Sequence, residues 1–202
     1  EASHELRKQQ LDILHLREAI TKNQLVLYYQ PKVNMTNNKV IGFEALLRWK
    51  HPINGLVYPD SFLSLVENES SFMIELGYWV LKNAFSQLEA WNLAGLDITL
   101  SINVSAHEVQ DENFTSYLEE LLLKHPKIKP TSVEIEILET SALDNFELTS
   151  KTFKACQDLG ISIALDDFGT GYASLHYLKN LPMNTLKIDK SFIIDLSTRS
   201  QN

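Results

Sequence analysis

Oxygen-bearing side chains recur at or near the ends of four separate apolar runs in this chain: Glu44, Asn103, Glu134 or Glu136, and Asp166 or Asp167. A fifth run carries Lys187. Carboxylates gathered in one cavity repel each other and are costly to desolvate unless protons or cations intervene. Several carboxylates with an amide oxygen form a hard donor set that suits Mg²⁺ or Mn²⁺, and adjacent acids could bridge two ions. Taken singly, each acid reads better as a solvated strand-end or loop residue. Convergence of four strands on one end favours metal binding. Lys187 lies two residues before Asp189, so the two side chains share a strand face. A lysine in an acidic cavity can hold a phosphate oxygen or orient an attacking water. Considered alone, it would be an ordinary ion-pair partner.

The elements that must position these groups follow from periodicity. Residues 5–21 read as a helix with Leu11, Ile13, Leu14, Leu16 and Ile20 on a broad apolar face. Two β-rich stretches, 25–34 and 39–50, are joined by the polar turn Thr36-Asn37-Asn38, which predicts a hairpin. A helical region is expected over 59–92, with a break and an N-cap near Asn68-Glu69-Ser70-Ser71. Strand-like runs at 98–105, 133–140, 162–168 and 185–190 then alternate with helix-like runs at 112–124, 145–159 and 172–180. That alternation implies a parallel sheet covered by helices.

Side-chain alternation narrows the class further. Ile98, Leu100, Ile102 and Val104 oppose Thr99, Ser101, Asn103 and Ser105. Val133, Ile135 and Ile137 oppose Glu134 and Glu136, and Leu186 and Ile188 oppose Thr185, Lys187 and Asp189. Doubly wound sheets are covered on both faces, and their central strands read as nearly continuous apolar runs. One apolar and one polar face, on strands that alternate with helices, instead fits a barrel whose polar side chains converge inside. An antiparallel sheet with one wet face is the alternative, and the helical crossovers argue against it.

Composition removes other classes. The 202 residues are 44% hydrophobic and 22% charged, as in one globular domain or an incomplete one. No apolar run approaches a membrane span of about 20 residues. With 18 basic against 26 acidic residues the formal charge is −8, which disfavours non-specific binding to DNA or an anionic membrane. The lone Cys156 excludes a disulfide framework or Cys-rich zinc site, suits a reducing cytoplasm and falls in a helix as a buried thiol. Asp166-Asp167-Phe168-Gly169-Thr170-Gly171 contains Asp-Phe-Gly but lacks the other protein-kinase signatures, and Ser174 stands where a dinucleotide fingerprint needs glycine. It reads as a strand ending in two acids, then a glycine loop that acts as a lid or a tight turn. His4, His15, His51, His107, His125 and His176 show no paired ligand spacing, and Trp49, Trp79 and Trp91 lack basic interleaving.

Glu44-Ala45-Leu46-Leu47-Arg48-Trp49 resembles the signature of the EAL domain family of bacterial cyclic di-GMP phosphodiesterases. The resemblance runs from about Leu25 to Ile194. It includes Tyr29-Gln30-Pro31, Ser101-Ile102-Asn103-Val104-Ser105, Glu134-Ile135-Glu136-Ile137-Leu138-Glu139, Asp166 through Gly171, and Leu186-Lys187-Ile188-Asp189. It implies an α/β fold, a modified (β/α)₈ TIM-like barrel with one antiparallel strand near its start. Residues 1–22 would be an N-terminal helix or connector and 23–202 the domain itself, incomplete at its C-terminus.

Carried over by position, the resemblance makes Glu44, Asn103, Glu136, Asp166 and Asp167 metal ligands, with Asp167 serving a second ion. Glu44, Asp166 and Lys187 become the catalytic group, and Lys187 contacts the attacking water or the scissile phosphate. Gln30 and Arg48 hold the substrate, and Glu139 anchors the glycine loop. The implied reaction is metal-dependent hydrolysis of cyclic di-GMP to linear pGpG, with two Mg²⁺ or Mn²⁺ ions lowering the water pKa and neutralising phosphoryl charge. A homodimer through about 169–180, an upstream sensory or diguanylate-cyclase-like domain, and a cytoplasmic location, free or tethered to the inner membrane upstream, are further implications. The chain departs from the family pattern in stopping soon after Ile194, at about six strands of eight. The absence of an initiator Met also leads us to expect a longer natural protein. A further family glutamate lies beyond this range, so the alternative is a receptor that binds cyclic di-GMP without cleaving it.

Overall fold

A computed structural model describes residues 2–169, 179–192 and 194 of the chain, with side chains described from residue 11 onward. The strands form where β-branched and aliphatic residues alternate with polar ones. They are β1 (Leu25–Asn34), β2 (Lys39–His51), β3 (Gly55–Val57), β4 (Thr99–Asn103), β5 (Val133–Leu138), β6 (Ser162–Phe168) and β7 (Thr185–Ile188). The sheet order is β1-β2-β4-β5-β6-β7, with β3 paired to β2. β1 and β2 form the expected antiparallel hairpin, and β2, β4, β5, β6 and β7 run parallel. Pro31, which has no N–H to give a ladder, sits on β1 at the sheet's edge, where its loss is tolerated.

The sheet is strongly curved. Lys32 on β1 donates to Glu134 Oε1 on β5 at 2.6 Å, although β2 and β4 lie between them. Three strand spacings in a flat sheet would separate them by about 14 Å, beyond a lysine's reach. The strands therefore wrap around a polar interior as an open barrel.

The outward face is apolar and covered. Leu81, Ala84, Phe85 and Leu88 of α2 (Ser70–Leu93), Phe114, Leu118 and Leu121 of α4 (Phe114–Lys124), and Phe153 and Cys156 of α6 (Phe146–Asp158) pack with Leu100, Ile102, Val133, Ile135, Ile137, Ile163 and Leu165. Truncating a buried leucine or isoleucine of this layer to alanine costs about 2–5 kcal/mol. Burial pushes the Cys156 thiol up to about 12, which leaves it inert. A second cluster packs Leu16 and Ala19 of α1 (Ala2–Thr21) against Leu25, Trp49, Phe62, Val66, Phe72 and Met73.

Several boundaries differ from expectation. Leu11 and Leu14 are exposed, so the apolar face of α1 is narrower, carried by Ile13, Leu16, Ala19 and Ile20. Residues 59–65 form two 3₁₀ turns rather than an α-helix, and α2 begins after Glu69 with no side-chain cap. The run expected as strand to residue 140 ends at Leu138, where α5 (Glu139–Asp144) begins. The short α3 (Ala106–Val109) and β3 were not expected. On β7, at the edge of the sheet, Leu186 and Ile188 are 41% and 59% exposed. The expected helix at 172–180, apart from residues 179–180, and the loop through Gly171 lie outside the described residues.

Candidate active site

The parallel register staggers the site residues by two positions between β2 and β4 and between β5 and β6, Glu44 pairing with Ser101 and Asp166 with Leu138, and the curvature of the sheet brings their side chains together. Asn103 pairs with Glu136 across β4 and β5, and Glu44 lies one strand away on β2. One carboxylate oxygen each from Glu44, Glu136 and Asp166 falls within 4.8 Å of the other two. Asn103 Nδ2 donates to Glu44 Oε1 at 2.8 Å, which orients that carboxylate. Between Glu134 and Glu136, the structure brings Glu136 into this group. Glu134 points into a lower layer, where Lys32, Ser101 and Thr185 donate to it.

Lys187 Nζ sits among the three acids, 2.6 Å from Glu136 Oε2, 2.8 Å from Asp166 Oδ2 and 3.5 Å from Glu44 Oε2. Burial works against its charge, but hydrogen bonds to Asp166 and Glu136 and the charges of Glu136 and Glu44 outweigh it and hold its pKa above the ordinary value. Glu136 is fully buried, and that burial, aided by the charge of Glu44, raises its carboxyl pKa despite both lysines. Glu134 is lowered instead, because hydrogen bonds from Lys32 and Ser101 overcome its burial.

A bulge on β6 sets two consecutive acids opposite one lysine, and of the two only Asp166 joins the converging carboxylates. Leu165 pairs with Leu186 and Phe168 with Ile188, so Asp166 and Asp167 together oppose Lys187. Asp167 adopts a left-handed φ of 52°, uncommon outside glycine but tolerated best by Asp and Asn. Its carboxyl pKa is raised by burial and by the charges of Asp166 and Asp189. Just beyond the bulge, buried Glu139 accepts a hydrogen bond from Gly169 N at 2.7 Å, at the start of the glycine loop.

The two substrate-side expectations lie on the hairpin. Gln30 pairs with Glu44 in the β1–β2 register. Arg48 shares the strand parity of Glu44, four residues further along β2. Its guanidinium donates to Leu47 O at 2.7 Å and lies 4.6 Å from the Tyr58 ring centroid and 5.9 Å from that of Tyr28. Sequence reasoning missed Lys32, Tyr28 and Tyr58. Period two along β1 was the available signal, because Tyr28, Gln30 and Lys32 share one face.

The donor set fits a hard divalent cation: three carboxylates and an amide from rigid strands, already compensated by an ammonium placed among them. Among the described residues no helix is long and apolar enough to cross a membrane.

The family model for the EAL domain matches residues 14–202. The chain is 39% identical over 197 residues to the bifunctional diguanylate cyclase/cyclic di-GMP phosphodiesterase MucR of Pseudomonas aeruginosa, covering 96% of this chain and 28% of that protein. It is 34% identical over 182 residues to the cyclic di-GMP phosphodiesterase PdeR of Escherichia coli, covering 90% and 27%. The chain thus spans less than a third of these relatives. A solved structure of the PaMucR phosphodiesterase in complex with c-di-GMP superposes with a TM-score of 0.87 at 38% identity, covering 93% of this chain and 75% of that one.

Proposed function

Because the chain belongs to the EAL domain family, we propose that it hydrolyses one phosphodiester bond of cyclic di-GMP to give linear pGpG, with Mg²⁺ or Mn²⁺ as cofactor. The observation that carries this reading is the trio Glu44, Glu136 and Asp166, whose oxygens meet from three strands around the Lys187 ammonium. In this reading these three and Asn103 hold the first ion, and Asp167 serves a second. When bound, such ions lower the pKa of water and neutralise charge on the phosphoryl oxygens.

The chain's own side chains supply the rest. Lys187 brings an ammonium beside the reacting diester, where it donates to a phosphoryl oxygen or holds the attacking water. Arg48 holds a non-reacting part of the dinucleotide, backed by the Tyr58 and Tyr28 rings. Gln30, next to Glu44 across the hairpin, hydrogen-bonds the substrate from the other side. Glu139, by accepting from Gly169 N, ties the glycine loop to the end of β5.

Residues 1–22 act as a connector to an upstream sensory or diguanylate-cyclase-like domain, in keeping with the bifunctional name of MucR, and 23–202 belong to the catalytic domain. Pairing of two copies through 169–180 and a cytoplasmic or inner-membrane-tethered setting complete the reading.

Incubation of the whole protein with cyclic di-GMP and Mg²⁺ or Mn²⁺, with products followed by chromatography, tests it. Linear pGpG that disappears with EDTA is expected. Binding without turnover would assign the protein to the receptor class, and neither would refute the reading.

A further inference from the structure

Beneath the carboxylate level the barrel interior holds a second polar layer. Branched apolar side chains usually fill such layers. Here Lys32, Ser101, Glu134 and Thr185 occupy the position, with Ser101 fully buried. Lys32 Nζ donates to Ser101 Oγ, to Glu134 Oε1 at 2.6 Å and to Glu136 Oε1 at 3.3 Å. Ser101 Oγ also donates to Glu134 Oε1 at 2.7 Å, and Thr185 Oγ1 to Glu134 Oε2 at 2.9 Å. Glu134 is therefore already supplied with hydroxyl donors.

Stability does not explain the lysine, because a buried ion pair is often no more stabilising than apolar residues of the same volume. Its third contact does. Glu136 is gripped at both oxygens, with Lys32 below on Oε1 and Lys187 above on Oε2. Lys187 is the same ammonium that reaches Glu44 and Asp166. Displacing Lys187 with an incoming cation leaves Lys32 as the one lysine still holding Glu136.

We propose that Lys32 is a positioning residue for the cation site: it fixes the Glu136 carboxylate from below so that Oε2 faces Glu44 and Asp166. The inference rests on reading Glu44, Glu136 and Asp166 as the metal centre. It assigns Lys32 no contact with substrate. Outer partners of metal ligands typically change affinity by about 10–100-fold when removed.

The test compares whole proteins carrying Lys32→Met and Lys32→Met/Glu134→Leu with wild type. Mn²⁺ affinity is measured by titration calorimetry, and the Tm is measured in EDTA. The single variant leaves the Glu134 charge with hydroxyl donors but no ammonium and should lose Tm. The double variant removes both partners and should regain a Tm near wild type. Both should bind Mn²⁺ about 10–100-fold more weakly. A double variant with wild-type Mn²⁺ affinity would overturn the inference alone. Loss of fold in both variants would also overturn it, by making Lys32 a structural residue. A wild type that binds no Mn²⁺ would overturn the metal-centre reading, and this inference with it.

Discussion

Lys187 and Glu136 meet at 2.6 Å although β6 lies between the strands that carry them. The contact is possible because the sheet curves and both side chains point into the concave face. It places one ammonium among three carboxylates that would otherwise repel. The lysine supplies the compensating charge.

Lys187→Met should therefore destabilise the protein in EDTA by about 2 kcal/mol, a buried-pair loss discounted for the partial exposure of Lys187. Mn²⁺ should restore more stability in this variant than in wild type, through linkage of binding to folding. Thermal unfolding with and without Mn²⁺ measures both. An EDTA Tm equal to that of wild type would show that the acids do not depend on Lys187.

Glu44→Ala and Asp166→Ala should each reduce turnover more than about 100-fold, because each removes a carboxylate at the converging level. The EDTA Tm should change little, since neither side chain belongs to the apolar layer. Product formation and Tm, measured on the same preparations, check the pair of statements. Full Mn²⁺-dependent activity in either variant would remove that residue from the site.

Tyr58→Ala should weaken substrate binding while leaving Tm unchanged, because the ring is exposed and its described role is to stack on Arg48. An exposed cation–π contact is worth about 0.5–1 kcal/mol, so KM should rise roughly 2–5-fold with kcat nearly constant. Steady-state kinetics with cyclic di-GMP separate the two parameters. A fall in kcat alone would place Tyr58 elsewhere in the mechanism.

Glu108 gives a pH signature remote from the acids. Its Oε2 accepts from Ser105 N and Oγ in the cap of α3, while Oε1 has no hydrogen-bond partner among the described residues and lies against Gly77, where a Cβ would come within 1.9 Å. Burial pushes its pKa up to about 7, against the opposing hydrogen bonds from Ser105. The folded state therefore binds the proton more tightly than the unfolded chain. This contribution is complete below about pH 4.5 and is lost as pH rises to about 7, amounting to about 3 kcal/mol. Glu108→Gln should flatten the wild-type fall in stability across that window and be the more stable protein at pH 8. Urea unfolding at pH 5 and pH 8 tests the sign, and parallel pH profiles would contradict it.

The period-two alternation was enough to separate an apolar from a polar face on β4 and β5, and strand–helix order was enough to make the sheet parallel. These are local properties, set by where successive Cβ atoms point. They were sufficient for the barrel class and for the acids at its strand ends. The end of β5 was misplaced although the alternation itself breaks there: Leu138 falls on the parity of the two glutamates and Glu139 on that of the isoleucines, where the chain turns into α5. The local pattern also left Glu134 and Glu136 equivalent, since both share one face. Sheet curvature separates them by depth: Glu136 joins Glu44 and Asp166, while Glu134 falls to Lys32, Ser101 and Thr185. The bulge that sets Asp166 and Asp167 against a single lysine has no one-dimensional signature either. Which inward residues touch depends on register, curvature and side-chain reach across strands as much as 102 positions apart in the chain, and those are fixed only when the whole sheet curves around its polar interior.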